Sequence, residues 1–431
     1  MTKFVARCLF ALLFCVFANL EAQGASTVLS NCSQSDVNNA INSASAGDTI
    51  VCPAGSWSWS SVDITKNITL QGAGIGSTII SITSAAGLES PSSYRGAFRV
   101  TGFTFRSTGN YYYESGMFRV VGGTNMSPGA VKSGWRIDHN QFEIYSNQDS
   151  YDGGTGLTIQ GHVGGLIDHN RFVNYPGQET GSNYIHVGVA VLGTAQSAGQ
   201  DCYDWQNLGS QMQTNPDSRA VFIEDNYFEE AKTGTSHGNH AFYQQRGGFV
   251  VFRHNEVHNM NVDSHGYEAH HGGREWDINN NKWYGTQYNM MHMRGGSGVI
   301  YGNERVSGNF NRGVQLDEPR CGSSQSGNVT SYYAGYGNVD ARSNCLNTEG
   351  APCAEGIGRG QQNGSQPLYI WGNDNMPNLA NEDSSCIKEN RDYYLTSKPG
   401  FHEYTYPHPL QSGTEPQPLL VPNPPSGMQI N

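Results

Sequence analysis

One short string recurs seven times along this chain and limits what it can fold into. It reads Trp135-Arg-Ile-Asp-His-Asn140, Gly165-Leu-Ile-Asp-His-Asn170, Val221-Phe-Ile-Glu-Asp-Asn226 and Val250-Val-Phe-Arg-His-Asn255. It continues as Trp276-Asp-Ile-Asn-Asn-Asn281, Gly298-Val-Ile-Tyr-Gly-Asn303 and Leu368-Tyr-Ile-Trp-Gly-Asn373. Three residues before the asparagine stand Ile137, Ile167, Ile223, Phe252, Ile278, Ile300 and Ile370, all apolar. The next column is mostly polar: Asp138, Asp168, Glu224, Arg253, Asn279, Tyr301 and Trp371. Two residues after the asparagine come Phe142, Phe172, Phe228, Val257 and Trp283. Alternation with a period of two marks strands that bury one face. Consecutive strings lie 30, 29, 26 and 22 residues apart, the length of one solenoid coil, and the gaps of 56 and 70 read as two and three turns. A coil of this size buries its apolar face only by stacking on its neighbours. The repeated asparagine predicts an internal ladder, each side-chain amide bonded to its equivalent one coil along.

Composition agrees with many short strands joined by tight turns. Glycine supplies 54 of 431 residues and only 14% are charged, which is poor material for long helices. The formal charge of −12 argues against a nucleic-acid binder, which needs a broad basic surface. It leaves an acidic sugar open as a partner, because a local basic groove can sit on an acidic protein.

Lys3 and Arg7 precede an apolar run from Cys8 to Leu20, and Ala22-Gln23-Gly24 offers a cleavage site. Residues 1–25 therefore read as a secretory signal peptide, too short and wrongly flanked for a membrane span. The expected product is secreted, extracellular or periplasmic, with no membrane partner. Cys8 and Cys15 leave with the signal, and seven cysteines remain. In an oxidising compartment most should pair. Cys32 with Cys52 is the expected first pair. Two more are expected among Cys202, Cys321, Cys345, Cys353 and Cys386, with one thiol left over.

Val37, Ala40, Ile41 and Ala44 mark one face of a short helix that would cap the open end of the stack. Gly47-Asp-Thr-Ile-Val-Cys-Pro-Ala-Gly55 and Ile68-Thr-Leu-Gln-Gly-Ala-Gly74 then start the first coils. These strings resemble the opening of the pectate-lyase-like family of right-handed parallel β-helix proteins, and the resemblance covers roughly residues 30 to 375. It implies an all-β, right-handed parallel β-helix and is generic for function, since many chemistries share the scaffold. The expected organisation is one β-helix domain over 26–410, expected to be a monomer. Insertions interrupt it near 201–218 and 321–366, and a Pro-rich tail over 411–431 forms a strap or a disordered end.

The strand before each string is where chemistry is expected. With Ile185, Val187, Tyr243, Ala269, Met291, Val314 and Leu316 facing inward, Gln244, His270, His292 and Gln315 fall into one outward column. Arg246, Arg294 and Asp317 fall into the next. Glu268 lies beside them, and His186 and His162 extend the row on earlier coils. Strands about 4.8 Å apart would merge these side chains into one polar patch. The candidate catalytic residues are His270, His292, Arg294, Arg246, Glu268 and Asp317; Gln244, His186, Gln315 and Tyr243 are candidates for substrate binding. His139, His169 and His254 precede ladder asparagines and read as turn stacking. No zinc motif or EF-hand loop is present, so no cofactor is assigned; Ca2+ held by scattered carboxylates stays open, as in some relatives of this fold.

Three functions compete for this patch. A lyase acting on a uronic-acid-containing polysaccharide would use Arg246 and Arg294 to neutralise the uronate and His270 or His292 as base. An inverting glycoside hydrolase would use Glu268 with Asp317 or Glu318, about 9.6 Å apart by strand spacing for Glu268 and Asp317. A non-catalytic carbohydrate-binding or adhesin solenoid would use the same groove. An epimerase shares the lyase's proton abstraction.

Overall fold

The computed structural model describes residues 24–109, 111, 114–123, 131–146, 154–176, 186–193, 220–231, 239–264, 273–317, 356–359, 365–384 and 387–412. Their strands form three long sheets, the first of 12, the second of 9 and the third of 10 strands, with every paired strand parallel to its neighbour. This is the expected right-handed parallel β-helix: each coil contributes one strand to each sheet in turn.

The first sheet carries the repeated string. Ile137, Ile167, Ile223, Phe252, Ile278, Ile300 and Ile370 pair in register and form one column of the core. Phe142, Phe172, Phe228, Val257 and Trp283 form another on the second sheet. Between them runs the asparagine ladder. Asn140 Nδ2 donates to Asn170 Oδ1, and the pattern repeats through Asn226, Asn255, Asn281, Asn303 and Asn373 at 2.9–3.1 Å. Just before the ladder stand His139, His169, Asp225, His254 and Asn280, with φ between 53° and 57°, and Gly302 and Gly372 at 65° and 60°. That left-handed corner explains why the position holds Gly, Asn, Asp or His. The rings of His139 and His169 stack there 4.9 Å apart.

The start of the string shows a size rule. Trp135 is paired with Gly165, and Trp276 with Gly298. A Cβ on Gly165 would come within 2.2 Å of the Trp135 ring, and one on Gly298 within 2.3 Å of the Trp276 ring. A buried indole on one coil therefore requires glycine on the next.

Two spacing expectations need correction. Asn170 and Asn226 are direct ladder neighbours, as are Asn303 and Asn373. The gaps of 56 and 70 residues are each one enlarged coil, not two and three. Register follows the stacking of apolar and amide columns, so added length is expelled into connections without adding a coil. The proposed insertions lie almost wholly outside the described residues.

The helix Gln34–Ser43 caps the stack, with Val37 and Ile41 buried and Ser33 as its N-cap. Cys32 and Cys52 are disulfide-bonded, as expected, and tie this cap to the first coil. Closing a loop of 20 residues gives an expected stabilisation of about 3 kcal/mol. Urea unfolding of a Cys32→Ser, Cys52→Ser double variant should show a loss of that size. Cys202, Cys321, Cys345, Cys353 and Cys386 lie outside the described residues, as do residues 1–23 of the expected signal segment. Among the described residues no helix is long and apolar enough to cross a membrane.

The C-terminal strap begins earlier than the Pro-rich tail. Residues 398–412 run back over the outer face of the first sheet. Arg253 donates to the carbonyls of Tyr404 and Thr405 at 2.9 and 2.7 Å, and Arg136 to that of Leu410 at 3.1 Å. Glu224 accepts from the His408 backbone N–H at 2.8 Å. This cover is why Glu224 and Arg253, predicted to face outward, are buried. Residues 413–431 lie outside the described set.

Candidate active site

The third sheet positions the candidate groups. Its core column is Leu157, Val189, Phe242, Val262, Met291 and Val314, all buried and paired in that order. The residues that follow point out of the coil: Thr158, Ala190, Tyr243, Asp263, His292 and Gln315. One further outward step brings Arg294 and Asp317, whose backbone N–H groups bond Ser264 and Met293 of the coil before.

His292, Arg294, Asp317 and Gln315 are thus brought together as expected. Two residues that sequence reading missed complete the group. Asp263 Oδ2 accepts from Arg294 Nη2 at 2.6 Å and lies 3.6 Å from His292 Nδ1 and 3.8 Å from His240 Nε2. On its other side, His292 Nε2 lies 3.3 Å from Asp317 Oδ2. His292 therefore sits between two carboxylates, and Asp263 sits among three nitrogenous side chains.

The strand Asn239–Gln245 departs from the expected register. The sequence pattern puts Tyr243 inward and Gln244 outward. In the structure Tyr243 pairs with Ala190 and Asp263 in the outward column, and Gln244 pairs with Val191 and Ser264 in the core column. Gln244 is fully buried, and its Nε2 donates to the Glu275 carbonyl at 2.9 Å. The cause is one added residue between strand and turn: Gln244 is followed by Gln245 and Arg246 before the glycine pair, whereas its equivalent Met293 is followed by Arg294 alone. Val187 likewise joins Ala190, Leu192 and Tyr243 in a small separate apolar cluster.

Arg246 stands beyond its strand in a left-handed turn, with φ 58°, ion-paired to Glu114. His162 likewise follows its strand, Thr155–Gln160. His186 opens the strand His186–Leu192 opposite Asn239, but its side chain lies outside the described set. Glu268 and His270 also lie outside it. The strand of that coil is Asn261–Ser264, upstream of the expected Glu268–His271 stretch. The string Asp263-Ser-His-Gly-Tyr-Glu-Ala-His-His-Gly-Gly-Arg274 is the densest polar stretch of the chain, and Asn261-Val262-Asp263 just upstream has the polar–apolar alternation that could have placed it. Among the described residues no cluster of three or more His, Cys, Asp or Glu is arranged to hold a metal ion.

Electrostatics divides the two imidazoles. Burial opposes charge on His292, but Asp263 and Asp317 outweigh it and push its pKa up to about 9. Burial dominates at His240 and holds its pKa below the usual histidine value, against the pull of Asp263. For Asp263 and Asp317 burial also disfavours charge, yet Arg294 and His292 for the first, and His292 chiefly for the second, keep both below the usual carboxylate range. His292 is the residue expected as a base, but in these surroundings it holds its proton at neutral pH.

A stability consequence follows from the raised pKa of His292. Its contribution should be complete below about pH 6.5, the unfolded value, and lost as pH rises through about 9. The urea midpoint difference between wild type and His292→Gln should therefore shrink across that interval. An unchanged difference would mean that the imidazolium is not held by its carboxylates.

No protein-family model matches the chain, and no curated protein matches it. Among solved structures, a PL6 family polysaccharide lyase from Pseudopedobacter saltans aligns with TM-score 0.39 and 15% identity over 68% of this chain and 65% of its own. The PL6 family alginate lyase AlyGC aligns with TM-score 0.34 and 14% identity over 68% of this chain and 43% of its own. An alginate lyase from Paenibacillus sp. aligns with TM-score 0.33 and 14% identity over 67% of this chain and 99% of its own. Likeness at this level transfers no reaction, which must follow from the side chains.

Proposed function

We propose that the chain is a secreted polysaccharide lyase that cleaves a uronic-acid-containing polysaccharide by β-elimination at the Asp263–His292–Arg294 patch. One observation carries this reading: two imidazoles share the Asp263 carboxylate, and their surroundings push their proton affinities apart. Paired groups biased in opposite directions are the signature of an acid and a base. His240, held neutral, is the base that removes the proton beside the uronate carboxylate. His292, held protonated, returns a proton to the leaving oxygen. Arg294 supplies positive charge as the enolate develops. Substrate reaches the base along the face formed by Tyr243, Asp263 and His292. The apolar N-terminal run and the Cys32–Cys52 bond support export to an oxidising compartment.

Hydrolysis is less well supported by the same geometry. A hydrolase needs one carboxyl with a raised pKa to protonate the leaving oxygen. Asp263 and Asp317 are both shifted the other way.

The test is ultraviolet absorbance of unsaturated uronate during incubation with a panel of polyuronates, with and without calcium. A rising signal in wild type, lost in His240→Gln, is the expected result. New reducing ends without absorbance would mean hydrolysis. Binding with neither product would replace the enzyme with a carbohydrate-binding solenoid.

A further inference from the structure

A chain of side-chain amides leads along the outer face of the third sheet to His240. His240 Nδ1 lies 2.5 Å from Asn261 Oδ1. Asn261 Nδ2 donates to Asn289 Oδ1 at 2.7 Å, and Asn289 Nδ2 donates to Gln315 Oε1 at 3.0 Å. The four residues come from four successive coils, and each is at most 8% exposed. None of them belongs to the core-facing asparagine ladder.

The direction of this chain has a chemical consequence. An amide offers an oxygen on one side and an NH2 on the other. With Asn261 Nδ2 committed to Asn289, the atom turned to His240 is an acceptor. Nδ1 must then carry the hydrogen, and the lone pair of neutral His240 falls on Nε2. Nε2 is the nitrogen that faces Asp263. The tautomer of a histidine is set by the bond its other nitrogen makes, and here that bond is fixed by amides up to three coils away. Were the chain reversed, Asn261 would donate to Nδ1, Nε2 would hold the hydrogen, and the ring would have no lone pair toward Asp263.

We propose that Asn261, Asn289 and Gln315 are positioning residues that hold His240 as its Nδ1–H tautomer, so that Nε2 is the atom that receives the substrate proton. The tautomer follows from the geometry alone; its use as a base rests on the β-elimination reading. Once protonated, the ring lies between two acceptors, Asn261 Oδ1 and the Asp263 carboxylate. Arg294 and His292, the charged groups that oppose its protonation, face it from the Asp263 side.

The direct test is nitrogen NMR of the full chain labelled with 15N-histidine, with the His240 signals identified by their loss in His240→Gln. Wild type at neutral pH should show a protonated Nδ1 and a bare Nε2. Asn261→Leu should move the ring mainly to the Nε2–H form. Asn289→Leu should give a mixture, because Asn261 is then free to turn over. Gln315→Ala, the most exposed of the three sites, should give a smaller change of the same sign and serves if the buried variants do not fold. In the lyase assay Asn261→Leu should lower kcat more than it changes KM. It should also move the acid limb of the profile to lower pH, since the lost oxygen favoured the protonated ring. An Nε2–H ring in wild type, or a tautomer unmoved by Asn261→Leu, would overturn the inference even in an active lyase. An Nδ1–H ring in a protein that makes no unsaturated product would keep the relay and remove the lyase reading.

Discussion

Arg294→Ala should lower kcat/KM for β-elimination by about 10²–10³-fold, the usual cost of removing one charge-stabilising group from a transition state. The argument rests on what Arg294 touches. Its Nη2 bonds Asp263 Oδ2 at 2.6 Å, and both residues are nearly buried. Without the guanidinium, the charged partner left to Asp263 among the described residues is the His292 imidazolium, His240 being held neutral. Its pKa should rise, and the imidazoles, relieved of a neighbouring cation, should both protonate more readily, so that His240 is less available as a base. Binding and proton transfer therefore fail together. Arg294→Lys restores the charge but not the planar fork, so partial recovery is expected. The pH profile carries a second signature: activity needs His240 unprotonated and His292 protonated, so the basic limb should fall near pH 9 in wild type. A basic limb far below 9, or an Arg294→Ala variant of full activity, would separate this patch from catalysis. Urea unfolding of the variant must accompany the kinetics, because leaving a buried charge unpaired costs about 3–5 kcal/mol.

Much of the fold could be read from the residues because it is periodic. Ile137 and its six equivalents, the asparagine ladder and the Phe142 column each repeat one environment, and a repeated environment leaves a repeated letter. The candidate site has no such redundancy. His292, Arg294, Asp317 and Gln315 were legible because regular strands place them opposite one another. Tyr243 and Gln244 were misplaced by a single added residue, Arg246, in the left-handed turn between the strand and its glycine pair, a local event that no period reports. Asp263 was hidden for a different reason. Counting back from the glycine pair Gly272-Gly273 puts the strand at Glu268–His271. The strand Asn261–Ser264 lies further upstream, and the glycines mark only the entry to the next sheet. His240 escaped notice because sequence gives no sign of which imidazole burial will discharge. The burial of Glu224 and Arg253 also had no local signal, since it comes from a strap about 150–185 residues away.

Asn226→Ala is expected to cost about 3–5 kcal/mol of stability, more than truncating an ordinary polar residue, because one side chain serves three coils. Asn226 Oδ1 accepts from the backbone N–H and the Nδ2 of Asn170, at 2.9 and 3.1 Å. Its Nδ2 donates to the carbonyls of Ile167 and Glu224, each at 2.9 Å, and to Asn255 Oδ1 at 3.1 Å. Alanine would strand the backbone N–H of Asn170 in a place sealed from water, leave Asn170 Nδ2 with the carbonyls of Ile137 and Asp168, and leave Asn255 Oδ1 with the backbone N–H of residue 226. Aspartate is no remedy: it keeps the acceptor but loses both amide hydrogens and adds a buried charge. Position along the stack gives the control. Asn373 ends the chain of amides, is only partly buried, and among the described residues donates to the Ile300 carbonyl alone. Asn373→Ala should therefore cost distinctly less than Asn226→Ala in the same urea titration. In a solenoid each coil is stabilised mainly by its neighbours, so hydrogen exchange should localise the damage around residues 165–170 and 221–226 before the ends of the helix respond. Equal losses at the two positions would mean that the ladder adds nothing beyond the packing of the isoleucine and phenylalanine columns beside it.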